Sequence, residues 1–376
     1  CDKNQLMTSN QHGFRKHKST TTALISLFEE TVDHIEAGRV AAGIMLDYSK
    51  AFDCLSHTLI LTKLQSFGVV AKAADWFLNY LSDRQQVVEL PCQEKGTNNK
   101  VLSRPLRITR GVTQGSVLGP ALFILTTNDL PAYLGDSCTP IMYADDTTLV
   151  LGQENIESLQ MSAFIATNLA TQYCHENDLV INTLKTKQLM FGRRGREETA
   201  LPEVDVEERA CFLGITIDSC FTWSAHIDRV CRKLNTGIYL IRRIMQIGTL
   251  EIAKTIYHAF CETHILYGIV AWGSASKTNM DKVLVLQKRA IRTILGLNHM
   301  ESCREHFKNL KILTVYAMYI LEVAHYASLN QLDRGTAIHN YNTRHADHFN
   351  LPAHRTSLFA RKPTYAGAKI LNHLPR

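Results

Sequence analysis

The sequence has no long hydrophobic run, which excludes an integral membrane protein. The longest apolar candidate is the short stretch from Ile265 to Trp272, far below the roughly 18 residues that a membrane-spanning helix needs. No basic start followed by an apolar stretch and a small-residue cleavage site is seen, so no signal peptide is predicted. Because the first residue is Cys1 rather than Met, we expect the chain to be part of a longer protein.

Paired cysteines are also missing. The ten cysteines are scattered singly without a CxxC motif, which argues against a disulfide framework and against a structural zinc site. We therefore expect an intracellular, reducing compartment. The composition, 45% hydrophobic and 20% charged, is that of a globular protein and excludes a disordered chain, a collagen and a coiled coil.

Net positive charge is absent from the front of the chain. Residues 226–310 carry +7 and residues 339–376 carry +5, which leaves −6 elsewhere in a chain of net charge +6. Carboxylates in the N-terminal part of the chain can hold metal ions, and cations in the C-terminal part can bind phosphates. A solvated basic surface explains the same distribution equally well.

Hydrophobic periodicity predicts alternating helices and strands over the first 225 residues. A helix is expected at 19–37, and the apolar run at 40–46 predicts a strand that is covered on both faces and ends at Asp47. The other predicted elements are helices at 58–67, 71–81, after the Gly111 loop to about Pro131, and 154–177, and strands within 84–90, 101–110, 188–191 and 212–218. This mixture favours an α+β fold with helices on one face of a sheet.

From residue 226 the pattern is almost purely helical. Helices are predicted at 226–246, 250–267, 279–295 and 309–328. A domain boundary near residue 225 follows, because both the periodicity and the charge change there. Trp223 and Trp272 have apolar neighbours, which favours core positions over base stacking.

Three carboxylates stand out by position. Asp47 ends an apolar strand, and 98 residues later Asp145 and Asp146 lie at the bend of a predicted β-hairpin, PIMYADDTTLVLG. If the two elements are neighbours in one sheet, the carboxylates converge, and oxygen ligands of this kind select magnesium or manganese. Two such ions catalyse nucleotidyl transfer. Alternatively, Asp47 caps the following helix and the aspartate pair only forms a tight turn.

The order of five motifs resembles that of reverse transcriptases, and especially those of jockey-like non-LTR (LINE-type) retrotransposons. The motifs are LDYSKAFD, GVTQGSVLGP, YADD, LKTKQLMF and FLGITID, and QHGFRKHKSTTTAL, NDLP, ILYGIVAWG, LQKRAIRTILG and YNTRHADHFNLP are also similar to that group. The resemblance implies a right-hand polymerase: partial fingers and palm at 1–225, a helical thumb at 226–310, and a basic C-terminal extension at 311–376.

The resemblance also implies roles around the metal ions. Asp47 and Asp145 would bind two Mg²⁺ ions, which Mn²⁺ could replace, with Asp146 as a third carboxylate and the backbone carbonyl of Tyr48 as a further ligand. Lys185 matches a lysine that protonates the departing pyrophosphate; a solvated lysine is the alternative.

Further positions match nucleotide and primer contacts. Phe52 would collide with a 2′-hydroxyl, Gln114 and Gly115 would border the incoming nucleotide and template base, and Tyr143 belongs to the same nucleotide-binding set. Arg15 would approach the triphosphate. The Phe212–Gly214 stretch matches the start of the turn that steadies the primer terminus, although FLG is equally readable as a buried strand. Asp53 is expected to cap a helix.

The implied function is RNA-directed DNA polymerisation: a DNA primer is extended along an RNA template with deoxynucleoside triphosphates, at a target DNA in the nucleus. Two alternatives stay open. One is a catalytically silent remnant that binds nucleic acid, and the other is a maturase-like protein of group II intron type. NDLP, ILYGIVAWG and YNTRH favour the retrotransposon side. The motifs leave the oligomeric state undecided.

Overall fold

The structure is a computed structural model that describes residues 6–94, 97–192, 199–330, 332–334 and 348–374. Helices and strands alternate up to residue 218, which confirms the predicted α+β mixture. The elements of this part are α1 Thr20–Glu36, β1 Val40–Leu46, α2 Ala51–Cys54, α3 His57–Ser66, α4 Lys72–Leu81, β2 Gln85–Gln86, β3 Glu89–Glu94, β4 Thr97–Leu102, β5 Leu106–Arg107, α5 Leu118–Thr126, α6 Leu130–Leu134, β6 Thr139–Tyr143, β7 Asp146–Gln153, α7 Ile156–Glu176, β8 Lys187–Phe191, β9 Arg209–Phe212 and β10 Ile215–Asp218.

The described elements after β10 are helical, as predicted. They are α8 Ser224–Ile244, α9 Leu250–Tyr257, α10 Thr263–Leu266, α11 Ile269–Trp272, α12 Lys277–Leu295, α13 Arg304–Leu310, α14 Val315–Leu329 and α15 Pro363–His373. A π-helical turn, His258–Glu262, interrupts the helix that was expected over 250–267.

Four strands form the main sheet in the order β6-β7-β1-β8, and three further two-stranded sheets pair β10 with β9, β2 with β5, and β3 with β4. The residues of β1 are mostly buried, as expected for a strand covered on both faces. The predicted hairpin is confirmed, since Ala144 and Asp145 link β6 directly to β7. This hairpin presents the aspartate pair.

Three further predicted elements are wrong in detail. The helix expected from the Gly111 loop to about Pro131 is two helices, since α5 ends at Thr126 and α6 begins at Leu130. The expected strand at 212–218 is a hairpin, because Leu213 (φ 45°) and Gly214 (φ 80°) turn the chain between β9 and β10. Apolar residues alternate through both arms, so periodicity alone did not locate the turn. The expected helix at 309–328 is two helices, since Lys311 in the left-handed conformation (φ 57°) ends α13 and α14 begins only at Val315.

Contacts group the described residues into two units. Unit 1 takes its residues from 1–19, 45–149 and 162–186, and unit 2 takes them from 20–44, 150–161 and 187–376. The predicted functional limits at residues 225 and 310 stay predictions.

Unit 2 has an aromatic core. The ring of Phe28 lies 4.8 Å from that of Phe221, which stacks on Phe191 at 5.1 Å between centroids. Trp223 and Trp272 are fully buried, so their predicted core positions are confirmed. A buried aromatic cluster of this size supplies much of the hydrophobic stabilisation of the unit.

The C-terminal segment 348–374 packs on α1 within unit 2. Glu29 accepts the backbone N–H of Thr364 at 2.8 Å and its hydroxyl at 2.7 Å, and Asp33 accepts the ammonium of Lys362 at 2.7 Å. Arg361 donates to the carbonyl of Phe221 at 2.7 Å. Arg361 and Lys362 thus bind groups of the protein itself, so the basic charge of this segment is partly used inside the fold.

No single helix in the described ranges has both the length and the apolar character to cross a membrane. One pair, Arg304–Leu310 with Val315–Leu329, passes that test jointly by length and composition, with a 53° bend between its members.

Candidate active site

Asp47 follows β1 directly and lies in unit 1. Its backbone carbonyl accepts the N–H of Asn182 at 2.7 Å, and its carboxylate Oδ2 lies 3.8 Å from Nζ of Lys185. The side chains of Lys185 and Asp47 are 68% and 41% exposed. This long, exposed ion pair is weak in water.

Asp145 and Asp146 lie at the tip of the β6–β7 hairpin, where Ala144 has a left-handed backbone (φ 55°). Burial raises the pKa of Asp146, and the charges of Asp145 and Asp47 raise it further. Burial also raises the pKa of Asp145, with a smaller contribution from Asp47 and an opposing backbone hydrogen bond. β1, which Asp47 follows, and β7, which begins at Asp146, are neighbours in the main sheet, and the charge of Asp47 acts on both Asp145 and Asp146. The metal-binding role of these carboxylates stays a prediction.

The alternative role of Asp47 as a helix cap finds no support in the described residues. Helix α2 begins after Lys50, and no side chain bonds to its first N–H groups there. The expectation that Asp53 caps a helix is wrong: Asp53 lies inside α2 and accepts the amide of Gln114 at 3.1 Å. This bond ties α2 to the glycine loop, a long-range contact that local cap rules do not anticipate.

The glycine loop presents Gln114 and Gly115 near α2. Gly115 has φ +80°, and a Cβ there would meet nothing within 4 Å, so the backbone is open to an approaching ligand. Phe52 packs its ring on Phe123 at 4.6 Å between centroids, which fixes its position. The roles predicted for these residues stay predictions.

Three further predicted positions are placed as follows. Tyr48 is buried, with backbone bridging to Ile181, and Tyr143 is partly buried immediately before the hairpin turn. The guanidinium of Arg15 donates to the backbone carbonyls of Thr8 and Gln11. Arg15 thus contacts the N-terminal segment in this structure.

Sequence reasoning missed Gln11. This residue is fully buried, and its side-chain oxygen accepts the N–H of Ala144 at 3.0 Å and that of Gly13 at 2.7 Å. A Cβ on Gly13 would lie 2.5 Å from the nitrogen of Ala144, so glycine permits the close approach. The QHGF motif was used only for Arg15, and no local pattern in it indicates this contact.

The turn after β9 lies in unit 2 and carries the predicted primer contacts. Phe212 is buried. The carbonyl of Leu213 accepts the hydroxyl of Tyr267 at 2.6 Å, and that of Gly214 accepts the guanidinium of Arg229. The backbone carbonyls of the turn are therefore bound by Arg229 of α8 and by Tyr267 of the ILYG motif.

The chain belongs to the reverse transcriptase family. The family model described as "Reverse transcriptase (RNA-dependent DNA polymerase)" matches residues 2–217, which include the three carboxylates, Lys185 and the turn after β9. The resemblance seen in the motifs is confirmed.

Similar proteins are found in mobile elements of Drosophila melanogaster. The probable RNA-directed DNA polymerase from transposon BS is 27% identical over 313 residues, covering 77% of this chain and 33% of that protein. The RNA-directed DNA polymerase from mobile element jockey is 26% identical over 328 residues, covering 80% and 33%. The chain thus spans about a third of these relatives, which are homologues of the non-LTR type.

Among solved structures, apo telomerase from Candida tropicalis is 12% identical with a TM-score of 0.42, covering 82% of this chain and 55% of that chain. Telomerase from Candida albicans with a fragment of telomeric RNA is also 12% identical, with a TM-score of 0.40 and coverage of 81% and 55%.

Proposed function

We propose that the chain is the polymerising part of an RNA-directed DNA polymerase that extends a DNA primer along an RNA template. The observation that carries this proposal is the convergence of Asp47, Asp145 and Asp146, beside the cation of Lys185, in a chain of the reverse transcriptase family. A palm at 1–225 with partial fingers, a thumb at 226–310 and a C-terminal extension at 311–376 would form the right-hand layout.

The carboxylates fit hard divalent cations. Asp146 has a pKa raised by burial and by its two neighbours, so its ionised form needs a compensating positive charge, and oxygen ligands suit Mg²⁺ or Mn²⁺. Among the described residues, no three His, Cys, Asp or Glu side chains already surround a metal position. When bound, two such ions would activate the primer hydroxyl and carry the triphosphate.

The protein's own groups would supply the remaining functions. Lys185 would move from Asp47 to the departing pyrophosphate, because pyrophosphate carries more negative charge than one carboxylate. Its ammonium group would then donate a proton to the leaving oxygen. Phe52, fixed against Phe123, would exclude a 2′-hydroxyl and so select deoxynucleotides. Gln114 and Gly115 would contact the nucleotide and template base, and the Phe212–Gly214 turn would hold the primer terminus.

The biological setting follows from the relatives, whose names assign them to mobile elements. The chain would copy its element's transcript at a nicked target DNA in the nucleus.

Primer extension tests this proposal. The purified chain is given an RNA template, a DNA primer and deoxynucleotides with Mg²⁺ or Mn²⁺, beside Asp145→Asn. The matched control is Asp136→Asn, an exposed carboxylate outside the cluster. We expect Asp145→Asn to lower the rate more than about 100-fold, because a ligand contributes more than its supporting groups, and Asp136→Asn to leave it unchanged. A folded wild-type chain that binds the hybrid but makes no product with either metal contradicts the proposal and favours the silent remnant.

A further inference from the structure

Three side chains stack at the C-terminal end of helix α4. Trp76 and Tyr80 are four residues apart, which places them on one face of the helix, and Arg84 lies three residues after the helix ends at Leu81. The rings of Trp76 and Tyr80 are parallel within 7°, with centroids 5.7 Å apart. The guanidinium carbon of Arg84 lies 5.2 Å from the centre of the Tyr80 ring. The result is a layered arrangement of two rings and a cation, called here the α4 stack.

The α4 stack is on the surface. Of the chain's three tryptophans, all within the described residues, Trp76 is 53% exposed while Trp223 and Trp272 are 0% exposed. Leu81 is the residue of α4 that is buried. Burial therefore stabilises Trp76 less than the two core tryptophans, and about half of the residue stays accessible to a ligand.

The stack adjoins a cationic groove in the same unit. A cleft of about 740 Å³ is lined by Arg84 together with Lys50, Arg110 and Gln114. Within the lining, the carboxylate of Asp53 already accepts Gln114, and Arg110 pairs with Asp178 at 3.1 Å. With Arg110 paired, Lys50 and Arg84 carry two positive charges against the one negative charge of Asp53, which leaves the lining with an excess of one positive charge.

Tyr80 connects the stack to the glycine loop. A side-chain hydrogen bond with Ser116 lowers the pKa of Tyr80, and Thr113 and Arg84 act in the same direction. Thr113 also lines the cleft. The ring on which Trp76 stacks thus lies beside the loop that contains Gln114.

We propose that Trp76, supported by Tyr80 and Arg84, is a stacking platform for an unpaired base of single-stranded RNA whose phosphates lie along the groove. This inference rests on the proposed function and adds a binding site for the uncopied template to it. Aromatic rings beside a cationic groove bind single strands without sequence preference, since every base has a π-face. The excess cations favour a polyanion over a protein partner.

Intrinsic fluorescence gives a direct test, because Trp76 is the tryptophan in contact with water. The full chain is titrated with a short uridine oligonucleotide, with an abasic oligonucleotide of equal length, and with a blunt duplex. We expect saturable quenching by the uridine strand and little quenching by the other two. Fluorescence anisotropy of a dye-labelled uridine strand, which does not need the indole, measures the variants. Trp76→Ala should weaken binding of the uridine strand about 5- to 100-fold, as loss of one stacked base predicts, and Trp76→Phe should retain most of the affinity.

The matched control is Phe164→Ala, which removes another exposed ring, 60% exposed on α7, and should leave binding unchanged. Circular dichroism establishes that each variant is folded.

Equal affinity of Trp76→Ala and wild type for the uridine strand, or equal quenching of the wild type by the abasic strand, overturns the platform. If the wild type extends the primer but Trp76→Ala binds the uridine strand as tightly as the wild type, the platform is rejected and the proposed function stands. Uridine-strand binding that Trp76→Ala weakens, in a chain without extension activity, supports the platform and rejects the proposed function.

Discussion

The side-chain oxygen of Gln11 accepts the backbone N–H of Ala144 at 3.0 Å, and this bond joins residues 133 positions apart. Ala144 immediately precedes Asp145, so the N-terminal segment positions the turn that carries the aspartate pair. The same segment pairs with β6, since the N–H of His12 donates to the carbonyl of Met142 at 2.8 Å. The geometry of the site in unit 1 therefore depends on residues outside its motifs.

Gln11→Ala should destabilise the protein by about 2 kcal/mol, because it leaves the buried N–H groups of Gly13 and Ala144 without their acceptor. Urea unfolding followed by circular dichroism measures this loss. Gln172→Ala, at an exposed position of α7, is the control and should change stability by less than about 0.5 kcal/mol. Equal midpoints for the two variants would show that the contact contributes nothing.

Asp146→Asn should be more stable than the wild type at pH 7 without metal. The raised pKa of Asp146 means that the folded state binds its proton more tightly than the unfolded state, so stability falls as pH rises above the unfolded pKa of about 3.9. The gain in unfolding free energy should be modest, because Asp146 is more than a third exposed. It should vanish near pH 3, where Asp146 is protonated in both the folded and the unfolded state. Thermal unfolding across this range checks the sign, and Asp136→Asn should show no such trend.

Divalent ions give a second readout of the same carboxylates. Mg²⁺ or Mn²⁺ should raise the melting temperature of the wild type at pH 7 by binding the folded state, and Asp145→Asn should reduce that rise. An equal rise in both proteins would argue against Asp145 as a ligand.

Tyr267→Phe should loosen the turn after β9. It removes the hydroxyl that donates to the carbonyl of Leu213 at 2.6 Å, at a cost of about 1 kcal/mol or less at this partly exposed position. If the turn holds the primer, the KM for the primer should rise while kcat with saturating primer stays nearly constant. Tyr239→Phe on α8, an exposed tyrosine, should change neither constant; a fall in kcat alone would place Tyr267 in another role.

Arg361→Ala should destabilise unit 2 by about 3–6 kcal/mol, because two charged hydrogen bonds are lost. The guanidinium donates to the carbonyls of Ser274 at 2.9 Å and Phe221 at 2.7 Å, and charged hydrogen bonds of this kind contribute about 1.5–3 kcal/mol each. Lys369→Ala on α15, at an exposed position, should stay within about 0.5 kcal/mol. Chemical denaturation distinguishes the two. Similar losses would mean that general charge, not these bonds, matters.

Local patterns predicted most helices and strands, because periodicity records which face is buried. The strand before Asp47 and the hairpin at Asp145 were both visible in this way. The turn at Leu213 and Gly214 was not, since a two-residue turn barely disturbs an alternating pattern.

The long-range contacts had no local signal. Nothing in the segment around Gln11 indicates that its side chain bonds to Ala144, and nothing around Asp53 indicates Gln114 as its partner. Trp76 also escaped sequence reasoning, because the helical stripe of α4 does not show that its indole is left in water. Such features depend on which elements pack together, which a single sequence does not encode locally.

The contact of α1 with the C-terminal segment bears on how the protein is made. Glu29 is bonded to Thr364, 335 residues further along the chain, so the ribosome has synthesised nearly all of this chain before α1 meets its partners. Until then the acidic side of α1 lacks these contacts, and contacts of such long sequence separation form slowly. Translation that stops before residue 364 leaves unit 2 incomplete, and such nascent chains expose surface that favours aggregation.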